Sequence, residues 1–183
     1  MKRNCDRRNT FMSYWFIMLF LGTVPGGCHS RPAEEAGRIS APRDLVKLNQ
    51  YLVKKDQATI SSFIARKGWD MKSTSTGLRY IILSKGTGPQ AQKGNVISLK
   101  YTVSLLDGTV IYSSDSLGLK TFRIGQGNVE AGLEEGVMLL HKGDRARFIL
   151  APYLAFGLIG DNDKIPGRTI IVYEIEVTDI KTG

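Results

Sequence analysis

The sequence predicts an α+β domain in which one antiparallel β-sheet wraps around one short α-helix. Residues 97–105 alternate apolar and polar side chains, which is the pattern of a strand with one buried face. Residues 145–151 and 169–180 show the same alternation, so these strands are expected to share a sheet. Between them, residues 129–137 carry an apolar side chain at every fourth position, which is the spacing of one helix face.

The segment before the sheet, residues 44–67, is helical in pattern. Its apolar residues fall in two stripes: Leu45, Leu48 and Leu52, then Ile60, Phe63 and Ile64. Asp56 is a suitable N-cap for a second helix, and Gly68 is a suitable C-terminal stop. The sequence therefore predicts short N-terminal helices that pack on their own domain.

Turn residues divide the chain into further strands. A Ser/Thr-rich turn ending at Gly77 predicts a hairpin, and Asp107-Gly108 is a strong signal for a second hairpin. Residues 115–120 are expected to be a loop. The predicted strands are residues 69–71, 78–83 and 110–114, with a short strand around Phe122 and Ile124.

The helix over residues 129–137 leads into a tight turn and a strand. Residues 141–144, His-Lys-Gly-Asp, place glycine where positive φ is favourable. In the strand that follows, Ala146, Phe148 and Leu150 share one face. Pro152 ends this strand because it lacks the N–H that a sheet ladder needs.

Two short motifs are better explained as turns than as ligand sites. Gly125-Gln126-Gly127 lacks the downstream glycine and the βαβ context of a phosphate loop, so it predicts a tight turn before the helix. Glu130 lies in the first turn of that helix, where a carboxylate suits the helix dipole. Asp161-Asn162-Asp163 has no glutamate at the distance that a calcium loop requires, so it predicts a polar loop tip.

The N-terminal segment has the layout of a secretory signal. Basic residues between Lys2 and Arg8 precede an apolar run over residues 11–24, which is too short for a transmembrane helix. Cys28 follows small residues and resembles a lipobox cysteine, although Pro25 stands where leucine is usual. After removal of the signal, Cys28 would be the single cysteine, so it has no partner for an intramolecular disulfide. These features predict a signal peptide over residues 1–27 and lipidation of Cys28.

Composition excludes several functional classes. The net charge is +8, but the basic residues are scattered, so nucleic-acid binding is not expected. Residues 28–42 contain few large apolar side chains and predict a flexible tether. The chain shows no nucleophile motif, no metal-ligand cluster and no cofactor motif. Glu134 and Glu135 are adjacent on the predicted helix, so they cannot face each other as a carboxylate pair.

Several patches together resemble the FKBP-type peptidyl-prolyl cis-trans isomerases. They are L-E-E-G-V from Leu133, G-D-R-A-R-F from Gly143, P-Y-L-A-F-G from Pro152 and L-D-G-T-V-I-Y from Leu106. The resemblance covers residues 86–183 as the isomerase domain, after N-terminal helices and a hairpin over residues 43–85. It implies an FKBP-like fold and an activity that needs no nucleophile, metal or cofactor.

The resemblance also implies which residues line the substrate pocket. Tyr101, Glu130 and Phe156 match catalytic positions, with Glu130 contributing its backbone N–H. The substrate-binding positions are Ile111, Tyr112, Phe122, Val129, Leu133, Ile165 and Tyr173. Most of these side chains are apolar or aromatic, as a proline-binding site requires.

The pocket departs from the family pattern at several positions. Leu133 replaces the usual tryptophan of the pocket floor, and Ile111 replaces an aromatic residue. Tyr112 replaces an aspartate, and Phe156 replaces a tyrosine whose hydroxyl bonds the bound peptide. Because one neutral hydrogen bond contributes about 0.5–1.5 kcal/mol, its loss lowers the rate by at most about tenfold. The sequence therefore predicts weakened isomerase activity.

Two functional hypotheses follow. In the first, the protein is a lipid-anchored isomerase in the cell envelope that assists the folding of exported proteins and binds proline-containing clients. In the second, it is a chaperone or assembly factor that acts by binding. The lipobox, the Leu106–Tyr112 run and the Gly160–Ile165 loop are closest to the gliding-motility-associated lipoprotein isomerases of Bacteroidetes. Some extracytoplasmic relatives dimerise through N-terminal helices, but this short segment predicts a monomer.

Overall fold

The residues before the sheet form one long helix, α1, which spans Pro42–Lys67 in the computed structural model. The structure describes residues 42–182, so the predicted signal peptide, Cys28 and nearly all of the predicted tether lie outside it. Gly68 ends the helix as predicted, with φ of 64° and with its N–H bonded to the carbonyl of Ala65.

The prediction of a second helix beginning at Asp56 is wrong. Asp56 lies inside α1, and its two carboxylate oxygens accept hydrogen bonds of 3.0 and 2.9 Å from the Arg168 guanidinium. The residue is only 9% exposed. Aspartate is tolerated within this helix because a distant arginine neutralises its charge. One continuous helix therefore replaces the short helices expected for residues 44–67.

Seven strands of the described chain form one antiparallel sheet, in the order β1-β2-β6-β7-β3-β4, with β5 paired to β3. The first strand begins at Lys72, directly after the predicted segment 69–71, and does not overlap it. The strands are β1 (Lys72–Ser73), β2 (Arg79–Ser84), β3 (Val96–Leu105), β4 (Val110–Ser113), β5 (Lys120–Arg123), β6 (Arg145–Leu150) and β7 (Ile171–Lys181).

Short helices occupy the connections. Helix α2, Ser114–Leu117, replaces part of the predicted loop, because the Ser113 side chain accepts the N–H of Asp115 and starts a helical turn. Helix α3, Ala131–Val137, matches the predicted helix, and Glu130 is its N-cap residue. A 3₁₀ turn, Pro152–Leu154, follows β6.

The inner face of the sheet packs against α3. Its buried side chains come from alternate positions of the strands, as predicted: Ile97, Leu99, Tyr101, Ala146, Phe148, Leu150, Ile171, Tyr173, Ile175 and Val177. Leu133 and Val137 of α3 are completely buried against them. Helix and sheet approach closely at Gly136, where an added Cβ would lie 2.4 Å from the Phe148 ring. The fold is therefore the predicted α+β arrangement.

The outer face of the sheet is covered by the C-terminal half of α1. Ile60 and Phe63 pack there against Ile149, Ala151 and Val172. The expectation that this segment packs on its own domain is thus confirmed for that half.

The N-terminal half of α1 leaves apolar side chains exposed, namely Leu45, Val46, Leu48 and Tyr51. Within the described residues, no helix combines the length and apolar character required to cross a membrane.

Candidate functional site

Two neighbouring cavities open between the inner face of the sheet and the loop after the 3₁₀ turn. The first, about 240 Å³, is lined by Tyr101, Val103, Tyr112, Leu117, Lys120, Glu130, Phe156, Asp161 and Tyr173. The second, about 390 Å³, is lined by Lys120, Gly127, Asn128, Val129, Glu130, Ala155 and Phe156. Lys120, Glu130 and Phe156 line both cavities, so these three residues mark their junction.

The structure brings most of the predicted site residues to these cavities. Those on the walls are Tyr101, Tyr112, Val129, Glu130, Phe156 and Tyr173. The others, Ile111, Phe122, Leu133 and Ile165, do not line either cavity. Phe122, Leu133 and Ile165 are buried in the core, and Ile111 packs against it. These four residues can shape the cavities only by supporting the wall from behind.

A lysine that the sequence analysis did not single out lies among the aromatic residues. The Lys120 ammonium donates to Glu130 Oε2 at 3.4 Å and to the Tyr173 hydroxyl oxygen at 3.2 Å. The Tyr173 hydroxyl donates in turn to Glu130 Oε1 at 2.8 Å. The ammonium also lies 5.5 Å from the centre of the Tyr101 ring and 5.7 Å from that of Tyr173. A charged, hydrogen-bonded cluster therefore forms one wall of an otherwise largely aromatic cavity.

Strand geometry explains why Lys120 points inward. It pairs with Leu99 across the β3–β5 ladder, and Leu99 is completely buried. Lys120 also precedes Phe122 by two positions, and residues two apart in a strand share a face. The sequence signal was therefore present, since a strand that turns Phe122 inward turns Lys120 inward too.

The cluster shifts the acidity of its tyrosines. Burial, followed by the nearby Glu130 carboxylate and the bond to it, raises the pKa of Tyr173 far above its usual value. Burial and the Glu130 carboxylate likewise raise the pKa of Tyr101. Both hydroxyls stay protonated at physiological pH, so they can act as hydrogen-bond donors.

The Glu130 carboxylate takes part in this cluster. The family resemblance implies a role for the Glu130 backbone N–H alone, and that role remains a prediction. In the structure its side chain is only 6% exposed and is held by Lys120 and Tyr173. Such a carboxylate is stabilised by its partners and requires them, because a buried charge without compensation is strongly unfavourable.

Tyr112 joins the opposite wall of the first cavity to the loop over residues 157–168. Its hydroxyl donates to Asp161 and, at 3.2 Å, to Asp163. Asp161 also accepts the backbone N–H groups of Asp163 and Ile165, at 2.9 and 2.8 Å. The bond to Asp161, with burial second, raises the pKa of Tyr112. The polar loop tip predicted from Asp161-Asn162-Asp163 thus closes on the tyrosine that replaces the family's aspartate.

Burial alone would raise the pKa of Asp161, but hydrogen bonds from Tyr112, Asp163 and Ile165 outweigh it and lower that pKa. Asp161 was not predicted to line the site. Its contact with Tyr112 joins positions 49 residues apart, and a local sequence pattern carries no signal for such a pairing. The same holds for Leu117, which reaches the cavity from the unpredicted helix α2.

The arrangement is better suited to binding an uncharged peptide segment than to making or breaking a covalent bond. Its aromatic and apolar walls can take a ring, and its donors can hold a carbonyl oxygen. Among the described residues, no group of three or more His, Cys, Asp or Glu side chains is placed to hold a metal ion.

Comparisons with known proteins identify one family. A family model described as FKBP-type peptidyl-prolyl cis-trans isomerase matches residues 88–178. The chain is 35% identical over 115 residues to a probable FKBP-type peptidyl-prolyl cis-trans isomerase of Haemophilus influenzae, covering 62% of this chain and 47% of that protein. It is also 35% identical over 127 residues to the probable FKBP-type isomerase FkpA of Neisseria meningitidis, covering 69% of this chain and 45% of the relative. The chain thus spans about half the length of these relatives.

Solved structures give the same result for the fold. The crystal structure of AtFKBP13 superposes with a TM-score of 0.58 and 30% identity, covering 60% of this chain and 98% of that one. The crystal structure of FkpA from Escherichia coli gives a TM-score of 0.62 and 26% identity, covering 76% of this chain and 65% of that one.

Proposed function

This chain belongs to the FKBP-type peptidyl-prolyl cis-trans isomerase family, and from that premise we propose that it accelerates rotation about X–Pro bonds of polypeptide clients. One observation carries the proposal: the matching positions Tyr101, Val129, Phe156 and Tyr173 meet at the wall of an accessible pair of cavities. At about 240 Å³, the aromatic cavity has a volume that a proline ring could occupy.

The cavity would act by removing water from the amide. Rotation about the peptide bond faces a barrier of about 18–20 kcal/mol because resonance makes the bond planar. Water stabilises the planar, charge-separated form, so transfer into apolar surroundings lowers the barrier. Donors on the wall can then hold the chain on one side of the proline while the other side rotates.

A binding function is the second candidate. The observation that favours it is the Lys120–Glu130 pair in a pocket that the family resemblance predicts to be apolar. A polar wall retains water near the amide and opposes desolvation. In that case the protein would hold proline segments as a chaperone or assembly factor without accelerating their isomerisation.

A matched pair of variants separates the two candidates. Val129→Trp fills the second cavity up to the junction at Lys120, Glu130 and Phe156, whereas Val110→Trp makes the same change at a 58% exposed position of β4. In a protease-coupled assay on a proline tetrapeptide, the full chain in mild detergent should exceed the uncatalysed rate. Val129→Trp should remove more than about nine-tenths of that activity, since a filled second cavity leaves no room for the rest of the peptide when the ring lies in the first. Wild-type turnover equal to the control would leave only the binding function.

We also propose that the protein is exported and anchored to the cell envelope by a lipid on Cys28, which lies outside the described residues. The basic, apolar and cysteine-ended layout of the N-terminus supports this location. Exported envelope proteins would then be its clients. A fatty-acid probe should label the wild type and not Cys28→Ala; equal labelling would refute the anchor.

A role in gliding is the narrowest form of this proposal. It is supported by the L-D-G-T-V-I-Y run that ends at Tyr112 and by the Gly160–Ile165 loop. If the protein comes from a gliding bacterium, deletion of its gene should slow spreading on a surface. Complementation with Val129→Trp should then fail while Val110→Trp restores spreading.

A further inference from the structure

The site lacks one group that its family relationship leads us to expect. Position 156 is a phenylalanine, so it offers no hydroxyl to a bound peptide. A peptide held only by apolar contacts could slide along the wall while its proline rotates. Another donor at the same junction would fix it, and the wall of the first cavity contains four side chains with N–H or O–H groups.

Two of these donors already make hydrogen bonds within the protein. The Tyr173 hydroxyl is inside the core, where the residue is 1% exposed, and its proton bonds Glu130. The Tyr112 hydroxyl donates to Asp161. Within the described residues, the Tyr101 hydroxyl makes no hydrogen bond, so it can donate one neutral bond to a ligand.

Lys120 is the stronger remaining donor. An ammonium has three N–H groups, and two of them make long bonds of 3.4 and 3.2 Å. Its side chain is 26% exposed and lines both cavities. The Tyr101 and Tyr173 rings hold the charge at the junction through cation–π contacts. A charge-assisted bond from this ammonium is about twice as strong as a neutral one.

We propose that Lys120 replaces the missing hydroxyl and donates its third N–H to a backbone carbonyl of the bound proline peptide. This inference rests on the proposed binding of proline peptides at this site. The bond is a hydrogen bond without proton transfer. Lys120 would thereby set how the peptide crosses from one cavity to the other.

Amide chemistry decides which carbonyl is held. A cation on the oxygen of the rotating amide would favour its planar, charge-separated form and oppose rotation. The carbonyl of the proline itself belongs to the next amide, so holding it does not restrain the rotating bond. With the ring in the aromatic cavity, that carbonyl lies where the chain turns towards the second cavity, beside Lys120.

The experiment compares two substrates and several variants of the full chain by magnetisation exchange between cis and trans signals. Lys120→Met keeps the stem over the tyrosine rings and removes the donor, so kcat/KM should fall by about tenfold to a hundredfold. Tyr101→Phe, which removes a neutral donor, should cost at most about tenfold. Lys164→Met is the control, because this lysine lies over the Tyr112 ring without lining either cavity; its effect should stay within about twofold.

The second substrate replaces the amide after proline with an ester, which makes the proline carbonyl a weaker acceptor and leaves the rotating bond unchanged. On it, the loss caused by Lys120→Met should shrink to about threefold or less. Adding Phe156→Tyr to Lys120→Met should recover several-fold activity, because the new hydroxyl supplies a donor at the same junction. A Lys120→Met protein within twofold of wild type, or an equal loss on both substrates, would overturn the inference.

Two further arms keep the result interpretable. If Lys120→Met does not fold, the same change is made in a Glu130→Gln background and compared with Glu130→Gln alone. If the wild type binds the peptide without accelerating isomerisation, the catalytic proposal fails. The affinity for the peptide then tests whether Lys120 acts as a donor. A dissociation constant at least tenfold weaker in Lys120→Met then supports the donor role. An equal affinity, or no binding by the wild type, refutes it.

Discussion

Each face of the sheet packs against a helix, but the side chains at the two faces differ in polarity. On the outer face, Ile149 and Val172 meet Ile60 and Phe63 of α1 in a purely apolar contact. On the inner face, neighbouring positions of the same strands include Tyr173, which joins Glu130 and Lys120 in a buried polar cluster. The contact between α1 and these strands is made by apolar side chains, so packing a helix against this sheet does not require a polar cluster.

The difference indicates where function is located. A buried charge pair is often no more stabilising than apolar residues of similar size. Polar groups at the inner face are therefore best explained by a ligand that uses them, whereas the outer face is explained by stability alone. Substitutions on the two faces should accordingly separate stability from activity.

The largest effects are expected from truncating one completely buried residue on each face. Ile60→Ala and Leu133→Ala should each lower the free energy of unfolding by about 2–5 kcal/mol, from lost burial and the cavity left behind. Chemical denaturation measures both. Only Leu133→Ala should also lower isomerase efficiency per folded molecule, because it weakens the support beneath the cavity wall. Equal efficiencies for the two variants would remove the distinction between the faces.

A smaller effect is expected at the contact between α1 and the loop before β7. Asp56→Ala leaves Arg168 partly buried without its partner and should lower the free energy of unfolding by about 1–3 kcal/mol. Glu176→Ala is the matched control, since its pair with Arg145 is exposed and 4.0 Å long. That control should change stability by less than about 1 kcal/mol. Denaturation curves that coincide for the two variants would show that Asp56 does not anchor α1.

Sequence patterns predicted the strands that alternate and missed what depends on distant partners. Alternation placed Phe148 inward, and the helix spacing placed Leu133 and Val137 against the sheet. Asp56 carried the local signal of an N-cap, and Arg168, 112 residues away, outweighed it. Long-range charge pairing leaves no mark on a local pattern.

The site was predictable to a similar degree. The family resemblance identified Tyr101, Phe156 and Tyr173, which the structure brings to the cavity wall. It did not identify Lys120, because the sequence placed this residue at the end of the predicted loop over residues 115–120. In the structure β5 begins at Lys120, and its ladder partner Leu99 and the neighbouring Phe122 show that the lysine faces the core.

The next effect concerns the pH dependence of the Tyr112–Asp161 contact. The pKa of Asp161 is lowered in the folded protein, so the contact stabilises the fold above the usual aspartate pKa of 3.8. This contribution is lost as the pH falls through the lowered pKa. Because Asp161 is only partly buried, it should amount to less than about 1 kcal/mol. Thermal unfolding between about pH 2 and 7 should show a smaller acid-dependent loss in Asp161→Asn than in the wild type. Identical pH profiles would contradict the contact.

The smallest change is expected in the association state. The exposed side chains of Leu45, Leu48 and Tyr51 lie on the half of α1 that extends beyond the sheet. We predict that the protein is nevertheless a monomer, because this apolar strip is short compared with a stable interface. Light scattering should give the mass of one chain, and replacing all three residues by serine should not change it. Twice the chain mass, reduced to one by these substitutions, would identify the strip as a dimer interface.

The most direct test is the rate of exchange between the cis and trans signals of a proline peptide. The full-length protein is added at about one-hundredth of the peptide concentration. Without a catalyst this exchange takes tens to hundreds of seconds. We predict that the wild type and Ile60→Ala accelerate it, under conditions where both are folded, and that Val129→Trp does not. Exchange at the uncatalysed rate with the wild type, or equal acceleration by Val129→Trp, would contradict the claim that this cavity isomerises X–Pro bonds.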